Sequence, residues 1–291
     1  MSVKIGVIGG SGFYQMEGLI NLEEVEVDTP FGKHSDFIAL GTLEDKRVAF
    51  LPRHGRGHRI IPSELNMRAN IYALKMLGVE WVISVNAVGS LKKEIAPRNF
   101  VIPDQIVDWS KNRIDTFFGE GLAVHISMAE PFCPVLSEIL YDGAKAAEAT
   151  VHKGGTYLCI QGPQFSTKAE SNLYRSLGFD VIGMTAGTEA KLAREAELCY
   201  ASLSCSTDYD CWHTEHDNVT AEIILANLFA NVDIAKKSIR EVVRRIPDKR
   251  EGCDCPKALE KAFATNLDLV PKETKEKLNL IIGKYIGMRE T

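Results

Sequence analysis

The sequence lacks the features that would give the protein a membrane or a nucleic acid as its partner. No apolar run is long enough to cross a bilayer, and no stripe of Lys and Arg is present that could displace counterions from phosphates. The net charge is −5. The N-terminus leads directly into a predicted strand, without the apolar segment of a signal peptide. We therefore expect a cytoplasmic protein that binds neither nucleic acid nor membrane.

Cysteine is also scarce, with seven residues in a chain of 291. This is not the dense disulfide framework of a small secreted domain, and an odd count leaves at least one thiol unpaired. Cys253 and Cys255 form a C-x-C pair that is too tightly spaced for an ordinary zinc knuckle and would close only a strained disulfide. We expect free thiols, while disulfides remain the alternative if the source is a hyperthermophile.

Two common nucleotide-binding motifs are incomplete. The β-branched run at residues 3–8 ends in Gly9-Gly-Ser-Gly12, a turn that lets backbone N–H groups approach an anion. A dinucleotide fingerprint would need a small residue at Gln15, and a P-loop would need a Lys-Ser or Lys-Thr pair. The turn therefore predicts an anion site to which Ser11 adds a hydroxyl, and it disfavours an NAD-linked oxidoreductase.

Hydrophobic residues, by contrast, make up 45% of the chain, and no compositional break divides it. Strand-like runs alternate with helical patterns, which predicts an α/β fold with a mixed twisted β-sheet flanked by helices. We expect one domain over residues 1–291, with a helical extension from about residue 250. The predicted strands include residues 37–43, 46–51, 81–85, 150–160 and 198–203. Five strands end in small, hydroxyl or charged residues, at the edge where open α/β sheets bind ligands.

A cationic loop follows the predicted strand 46–51. It contains the motif Arg53-His-Gly-Arg-Gly-His58, whose glycines allow the cations to converge. Arg53 and His54 suit an oxyanion, because the rigid guanidinium fork matches phosphate oxygens. A plain basic surface loop is the alternative.

Two carboxylates, Asp208 and Asp210, come just after the buried-looking run 198–203. They point the same way only if the extended period of two persists through the turn. The alternative is a pair of solvated turn residues. Phe165 is either a core residue or a platform for stacking a base. His125 lies in a long predicted loop at residues 111–128. Loops of this length are typically functional or lie at subunit contacts.

Seven motifs in unbroken order resemble those of the 5'-methylthioadenosine phosphorylases, in the purine nucleoside phosphorylase family with trimeric architecture. The resemblance covers about residues 3–245. The motifs are Gly9-Gly-Ser-Gly12, Arg53-His-Gly-Arg-Gly-His58, Pro62-Ser-Glu-Leu-Asn-Met-Arg-Ala-Asn70, Asn86-Ala-Val-Gly-Ser-Leu91, His125-Ile-Ser-Met-Ala-Glu-Pro-Phe-Cys133, Gly162-Pro-Gln-Phe165 and Thr207-Asp-Tyr-Asp-Cys-Trp212.

The resemblance implies roles for individual residues. The positions that hold inorganic phosphate are Ser11, Arg53, His54, Ala87 and Thr185. Those around base and sugar are Phe165, Met184 and His58. Asp208 is implied to bond N7 and the 6-amino group of adenine, supported by Asp210. The 5' pocket is implied to take His125 from a neighbouring subunit, with Val219 and Ile223 as its apolar wall.

The implied activity is phosphorolysis of 5'-methylthioadenosine to adenine and 5-methylthioribose 1-phosphate, a step of methionine and polyamine salvage. It needs no metal or organic cofactor, since phosphate is a co-substrate and a protonated Asp208 serves the leaving purine. A homotrimer or homohexamer is implied. A broader purine nucleoside phosphorylase acting on adenosine or inosine, and a non-catalytic nucleotide-binding module, are the alternatives.

Overall fold

A mixed β-sheet forms the centre of the molecule. The computed structural model describes residues 3–10, 16–213 and 221–287. Eleven strands within these ranges join one sheet. The strands are β1 (Ile5–Gly9), β2 (Ile20–Val25), β3 (Ile38–Leu43), β4 (Lys46–Pro52), β5 (Trp81–Ser90), β6 (Phe100–Ile102), β7 (Gln105–Asp108), β8 (Val151–Lys153), β9 (Thr156–Cys159), β10 (Val181–Gly183) and β11 (Cys199–Asp208).

Strand β5 is the hub of this sheet. The main path runs β2-β3-β4-β1-β5-β10-β9-β7, and β11 pairs with both β5 and β6. Strands β1 and β11 lie parallel to β5, whereas β10 pairs antiparallel with its C-terminal end. The residues of β5 are mostly buried on both faces, which suits its apolar start from Trp81 to Val85. The ends of several strands are therefore brought against one segment of β5.

Helices cover both faces of the sheet. They are α1 (Met67–Met76), α2 (Pro134–Ala146), α3 (Lys168–Ser176), α4 (Ala186–Glu195) and α5 (Ala221–Arg245), followed by α6 (Lys272–Lys277) and α7 (Asn279–Ile282) in the extension. Helices α2 and α5 contribute to one apolar cluster, and α1 and α4 contribute to another. The expected α/β class, a mixed sheet flanked by helices, is confirmed. None of the helices in the described ranges is long and apolar enough to span a membrane.

The C-terminal extension packs on the same side as α1. Its side chains Leu259, Leu278 and Ile282 join the apolar cluster that α1 and α4 form. The extension also holds the loop at residues 111–128, because the N–H of His125 donates to the carbonyl of Ala262 at 2.8 Å. The predicted helical character is present, as α6, α7 and three 3-10 turns.

Three predicted boundaries were wrong. Strand β5 continues through Ser90, five residues beyond its predicted end at Val85. Residues 150–160 form two strands, because Gly154 and Gly155 adopt positive φ between β8 and β9. Strand β11 continues to Asp208, five residues beyond the predicted run 198–203. The predicted strands 37–43 and 46–51 pair antiparallel as β3 and β4.

Candidate active site

Three predicted site residues, Ala87, Thr185 and Asp208, lie where strands meet β5. In the sheet, Asp208 of β11 is paired with Gly89, and Cys205 is paired with Ala87. Thr185 follows β10, and its hydroxyl donates to Asn86 Oδ1 of β5 at 3.0 Å. Parallel and antiparallel neighbours thus converge on residues 86–89, which brings the base-side and phosphate-side candidates to one stretch of strand.

Arg53 lies at the end of β4 and is buried, with 4% of its surface exposed. Its guanidinium forms a forked ion pair with Glu189 of α4, in which Nη2 donates to Oε2 at 3.1 Å. Nη2 also donates to Ser84 Oγ at 2.6 Å, and Nη1 donates to the carbonyl of Val85 at 3.0 Å. The planar fork is therefore fixed in orientation, and most of its donors are already engaged.

Glu189 balances the charge of Arg53. Burial alone would raise the pKa of this carboxyl, but the charge and hydrogen bonds of Arg53, with a further bond from Ser84, hold it below its ordinary value. The Tyr200 hydroxyl donates to Glu189 Oε2 at 2.8 Å. The pair is thus a buried neutral unit with satisfied oxygens, and an anion nearby meets at most the one Arg53 N–H group that these bonds leave over.

Asn86 extends this network to Thr185. Its Nδ2 donates to Ser84 Oγ at 3.0 Å and to Ser202 Oγ at 2.9 Å, while its Oδ1 accepts from Thr185. Thr185 is the residue before α4, so the free N–H groups of that helix begin beside it. Arg53 and Thr185 are therefore held in register by one chain of buried hydrogen bonds.

His54 is held as a neutral imidazole. Burial and the neighbouring Arg53 charge lower its pKa to about 4. Its Nδ1 faces the carbonyl of Ile60 at 2.8 Å, which in the neutral ring assigns the proton to Nδ1 and leaves Nε2 as an acceptor. The His58 ring stacks on it, with centroids 4.2 Å apart. His54 in this state accepts a hydrogen bond and does not donate one to an oxyanion.

The remaining phosphate candidates are small or lie outside the described residues. Ala87 is exposed, although the strand residues on either side of it are buried. At the end of β1, the carbonyl of Gly9 accepts the N–H of Arg53 at 2.9 Å. Ser11 lies outside the described residues.

Asp208 ends β11 and is 8% exposed. Burial raises its pKa to about 6, against two hydrogen bonds that favour the ionised form, and the charge of Asp210 adds a smaller increase. Thr207 Oγ1 donates to Oδ2 at 2.7 Å, and the N–H of Asp210 donates to Oδ1 at 2.8 Å. The carboxyl is therefore fixed in position and keeps its proton to a higher pH than an ordinary aspartic acid does.

The two carboxylates are not related by a continuing strand. The pairing of β11 with β5 shifts between Ser206 and Asp208, and Asp210 adopts a left-handed φ of 48°. The turn instead places the backbone N–H of Asp210 on Asp208. Asp210 is itself buried, and burial raises its pKa against the hydroxyls of Ser171 and Ser166. Both side chains are thus buried site residues rather than solvated turn residues.

Gly89 makes room for Asp208. A Cβ at this position would lie 3.0 Å from Asp208 Oδ1 and 3.0 Å from the Cγ2 methyl of Ile182. Such contacts are tighter than normal carbon packing. A glycine at this point of β5 is therefore needed for the approach of the carboxyl.

The loop that carries Phe165 packs on the turn after Asp208. Cys211 Sγ donates to the carbonyl of Ser166 at 3.2 Å, and Trp212 Nε1 donates to the carbonyl of Ser90 at 2.8 Å. Phe165 is 44% exposed, so it is not a core residue. Met184 lies against Gly162 of the same loop, since a Cβ there would meet its sulfur. Phe165, Met184 and the two carboxylates thus lie in neighbouring segments.

Three predicted residues are not joined to this group by any contact in the described structure. His125 is exposed on the loop at 111–128, which the extension holds. Val219 lies outside the described residues, and so does the side chain of Ile223 in the first turns of α5.

Sequence reasoning missed Glu189, Arg113 and the role of Asn86. Arg113 of the long loop donates to the carbonyls of Met184 and Gln161, the latter at 2.6 Å, and so joins the two segments that carry the base-side residues. A charged residue on the apolar side of α4 was the available signal for Glu189, because buried carboxylates are rarely found without a partner. The sequence around Arg113 contains no pattern that separates it from other charged loop residues.

Comparison with known proteins supplies the family. The chain matches the model of the phosphorylase superfamily over residues 4–246. It is 56% identical to the S-methyl-5'-thioadenosine phosphorylase of Koribacter versatilis over 287 residues, which cover 99% of this chain and 98% of that protein. The same enzyme of Geobacter sulfurreducens is 55% identical over 287 residues, covering 98% and 100%.

Solved structures agree. A methylthioadenosine phosphorylase from an Antarctic soil metagenomic library has a TM-score of 0.92 and 47% identity, covering 96% of this chain and 99% of that one. An adenosine/methylthioadenosine phosphorylase mutant from Schistosoma mansoni, in complex with tubercidin, has a TM-score of 0.83 and 36% identity, covering 92% and 100%. The resemblance inferred from the seven motifs is confirmed, and the chain belongs to the phosphorylase superfamily.

Proposed function

We propose that the protein catalyses phosphate-dependent cleavage of the N-glycosidic bond of 5'-methylthioadenosine, giving adenine and 5-methylthioribose 1-phosphate. The relatives named for this activity cover nearly the whole chain. The observation that carries the proposal is the Asp208 carboxyl, which is buried, fixed by two hydrogen bonds and raised in pKa to about 6. Such a group serves as the acid for a departing purine.

On the base side, a protonated Asp208 donates to N7 while its carbonyl oxygen accepts from the 6-amino group. Protonating N7 neutralises the charge that builds on the purine as the glycosidic bond breaks. A bound purine excludes further water, which raises the pKa of the carboxyl again. Activity therefore depends on the protonated form, and it falls as pH rises through the pKa of Asp208 in the complex.

On the opposite side of the sugar, Ser11, Arg53, His54, Ala87 and Thr185 receive inorganic phosphate in this proposal. A dianion beside the neutral pair of Arg53 and Glu189 is held by the remaining N–H group of Arg53, together with the N-terminal N–H groups of α4. His54 Nε2, as an acceptor, matches the one hydroxyl of HPO₄²⁻. The phosphate is thereby oriented with its unprotonated oxygens free to attack C1'.

Phe165, Met184 and His58 flank base and sugar in this arrangement. We assign His125, Val219 and Ile223 to the 5' pocket, with His125 contributed by a neighbouring subunit of a homotrimer or homohexamer. Support comes from the exposed His125 side chain on a loop that the extension fixes. Sizeable apolar side chains such as Ile114, 63% exposed, are also available to an interface.

The reaction needs no metal or organic cofactor, because the acid is a carboxyl and the nucleophile is the co-substrate. The partners of the enzyme are accordingly the nucleoside, phosphate and copies of its own chain. Location in the cytoplasm stays a prediction.

A broader specificity that includes adenosine is the second candidate, favoured by the Schistosoma relative, whose name includes adenosine. The base contacts proposed for Asp208 are the same for both nucleosides, and only the 5' pocket distinguishes them. The two substrates should therefore differ in KM more than in the response to Asp208 variants.

The test is release of free adenine from methylthioadenosine, followed with and without phosphate. Adenine and a sugar 1-phosphate must appear in equal amounts, and only when phosphate is present. Adenine release that is independent of phosphate would indicate a hydrolase, and binding without release would indicate a nucleotide-binding module. Adenosine and inosine, run in parallel, measure how broad the specificity is.

A further inference from the structure

Four cysteines from distant parts of the chain meet at one point, and we call them the four-cysteine cluster. Its members are Cys133, Cys199, Cys253 and Cys255. All four sulfurs lie within 4.8 Å of one another, and none is in a disulfide. Cys253 is partly exposed, and the other three are buried. The cluster belongs to neither side of the proposed active site, and the proposed reaction gives it no role.

The spacing of the sulfurs suits one central ion. With metal–sulfur bonds of about 2.3 Å, a tetrahedron separates its sulfurs by about 3.8 Å. The sulfurs of Cys199 and Cys253 are 3.6 Å apart, and the other separations are below 4.8 Å. A multi-iron cluster would place its iron atoms between the cysteines and hold the sulfurs farther apart. Tetrahedral all-sulfur coordination at this separation is the preference of Zn²⁺.

The surroundings suit sulfur that carries negative charge. Cys133 precedes the thirteen-residue helix α2, and its Sγ accepts the N–H of Leu136 at 3.5 Å. Arg194 Nη1 points at Cys255 Sγ from 3.6 Å. A tetrathiolate zinc site carries a net charge of −2, and a guanidinium together with a helix N-terminus offsets part of it.

The C-x-C pair by itself does not predict a zinc site. That pair has the wrong spacing for a knuckle in which each half of the site is a local loop. In the structure, Cys255 opens a 3-10 turn, and Cys253 lies two residues before it. The other two ligands come from the start of β11 and the residue before α2. The fold therefore brings four sulfurs together, although the local spacing of the C-x-C pair provides only two.

We propose that the four-cysteine cluster binds one structural zinc ion through four thiolates. Binding releases four protons to solvent and changes no oxidation state, so no oxidant is needed. Two disulfides among the same sulfurs would instead require an oxidant that takes up four electrons, with the release of four protons.

The ion would fasten the extension to the body. Cys253 and Cys255 lie just before the segment whose Ala262 carbonyl holds the N–H of His125. Cys133 and Cys199 lie on the body. The residue after Cys199 joins them, because the carbonyl of Tyr200 accepts the N–H of Cys133 at 2.8 Å. Loss of zinc should therefore loosen the backbone around His125 before it affects the sheet.

The first measurement is metal content of the full-length protein, purified with reductant and without chelator. We expect about one zinc per chain by elemental analysis, and a four-sulfur shell near 2.3 Å by X-ray absorption. After denaturation with chelator, all seven cysteines should react with a thiol reagent. Zinc below about a tenth of an equivalent after reconstitution under reducing conditions would overturn the proposal, and so would a mass four hydrogens below the reduced chain.

The second measurement uses matched variants. Cys253→Ser alters the partly exposed ligand and should lower zinc content at least tenfold. Cys205→Ala, on the same strand as Cys199 but outside the cluster, should keep the full equivalent. Hydrogen exchange at the His125 amide should become faster in Cys253→Ser and stay unchanged in Cys205→Ala. Equal zinc content in the two variants would refute the assignment of the ligands.

Discussion

Replacing Asp208 by asparagine separates hydrogen bonding to the base from protonation of the base. The N–H of Asp210 requires an acceptor at Oδ1, so the amide oxygen takes that position. The amide NH₂ then takes the Oδ2 position, where the Thr207 hydroxyl can turn to accept and donate instead to the carbonyl of Val88, 3.3 Å away. The variant should therefore fold, with an NH₂ group that donates a hydrogen bond but never a proton.

The magnitude follows from these two changes. Loss of a general acid typically costs roughly 100- to 10,000-fold in rate, which sets the expected fall in kcat for methylthioadenosine. A 6-oxo group accepts from an NH₂ donor, so methylthioinosine should lose less. A mismatched buried polar pair costs about 1 to 3 kcal/mol, equivalent to a change in preference of about fivefold to 150-fold. The ratio of kcat/KM for methylthioadenosine over methylthioinosine should fall by that factor in Asp208→Asn.

The same substitution has a signature in stability. A carboxyl whose pKa is raised from 3.8 to about 6 favours the folded state when protonated. Its contribution is complete below the unfolded pKa and is lost as pH rises through about 6, by an amount on the order of 3 kcal/mol. Urea unfolding between pH 4 and 7 should show a weaker fall in stability for Asp208→Asn than for the wild type.

Glu195 provides the matched control. It is also buried, and burial raises its pKa to about 7, but its oxygens accept from Thr116 and Phe117, away from the base side. Glu195→Gln should alter the pH dependence of stability and leave the substrate ratio unchanged. If the ratio is unchanged in Asp208→Asn as well, the carboxyl does not read the base, and the reasoning fails.

Three further predictions concern other parts of the site. Glu189→Gln leaves the Arg53 guanidinium buried without its counter-charge, so urea unfolding should show a loss of about 3 to 5 kcal/mol; a loss below 1 kcal/mol would show that the pair contributes little. Gly89→Ala places a methyl 3.0 Å from Asp208 Oδ1, so kcat should fall while circular dichroism stays native, and wild-type kcat would contradict the close approach. His125→Ala should raise KM for methylthioadenosine up to about tenfold without changing KM for phosphate. A monomer with full activity in sedimentation would exclude the shared 5' pocket.

Several strands could be predicted from sequence because apolar runs are a local signal. The end of β4 was predicted to within one residue, but β11 continues beyond the apolar run 198–203 to Asp208, because its polar residues pair with β5 and are buried there. The end of β5 was missed for the same reason, since Ala87 and Gly89 resemble a turn when their partners on β11 and β10 are unknown. Their small size reflects a close approach to other chain segments.

The partners of the predicted residues could not be found in this way. Glu189 is separated from Arg53 by 136 residues, and its charge makes sense only beside that guanidinium. The four-cysteine cluster draws on three regions of sequence, so the spacing of its C-x-C pair alone does not reveal it. Spacing along the chain reports on ligands only where the fold between them is a local turn.

Strand β5 also sets the distance between the two sides of the proposed active site. On the phosphate side, Asn86 accepts the hydrogen bond of Thr185, and three residues later Gly89 pairs with Asp208, the proposed acid. At about 3.3 Å per residue, the two points are about 10 Å apart along one extended backbone. The distance between the residues proposed to hold phosphate and the proposed acid is thus set by three residues of one strand. Motion of the whole sheet would leave this distance unchanged. Insertion of a single residue between Asn86 and Gly89 would instead shift the acid relative to the residues that hold phosphate.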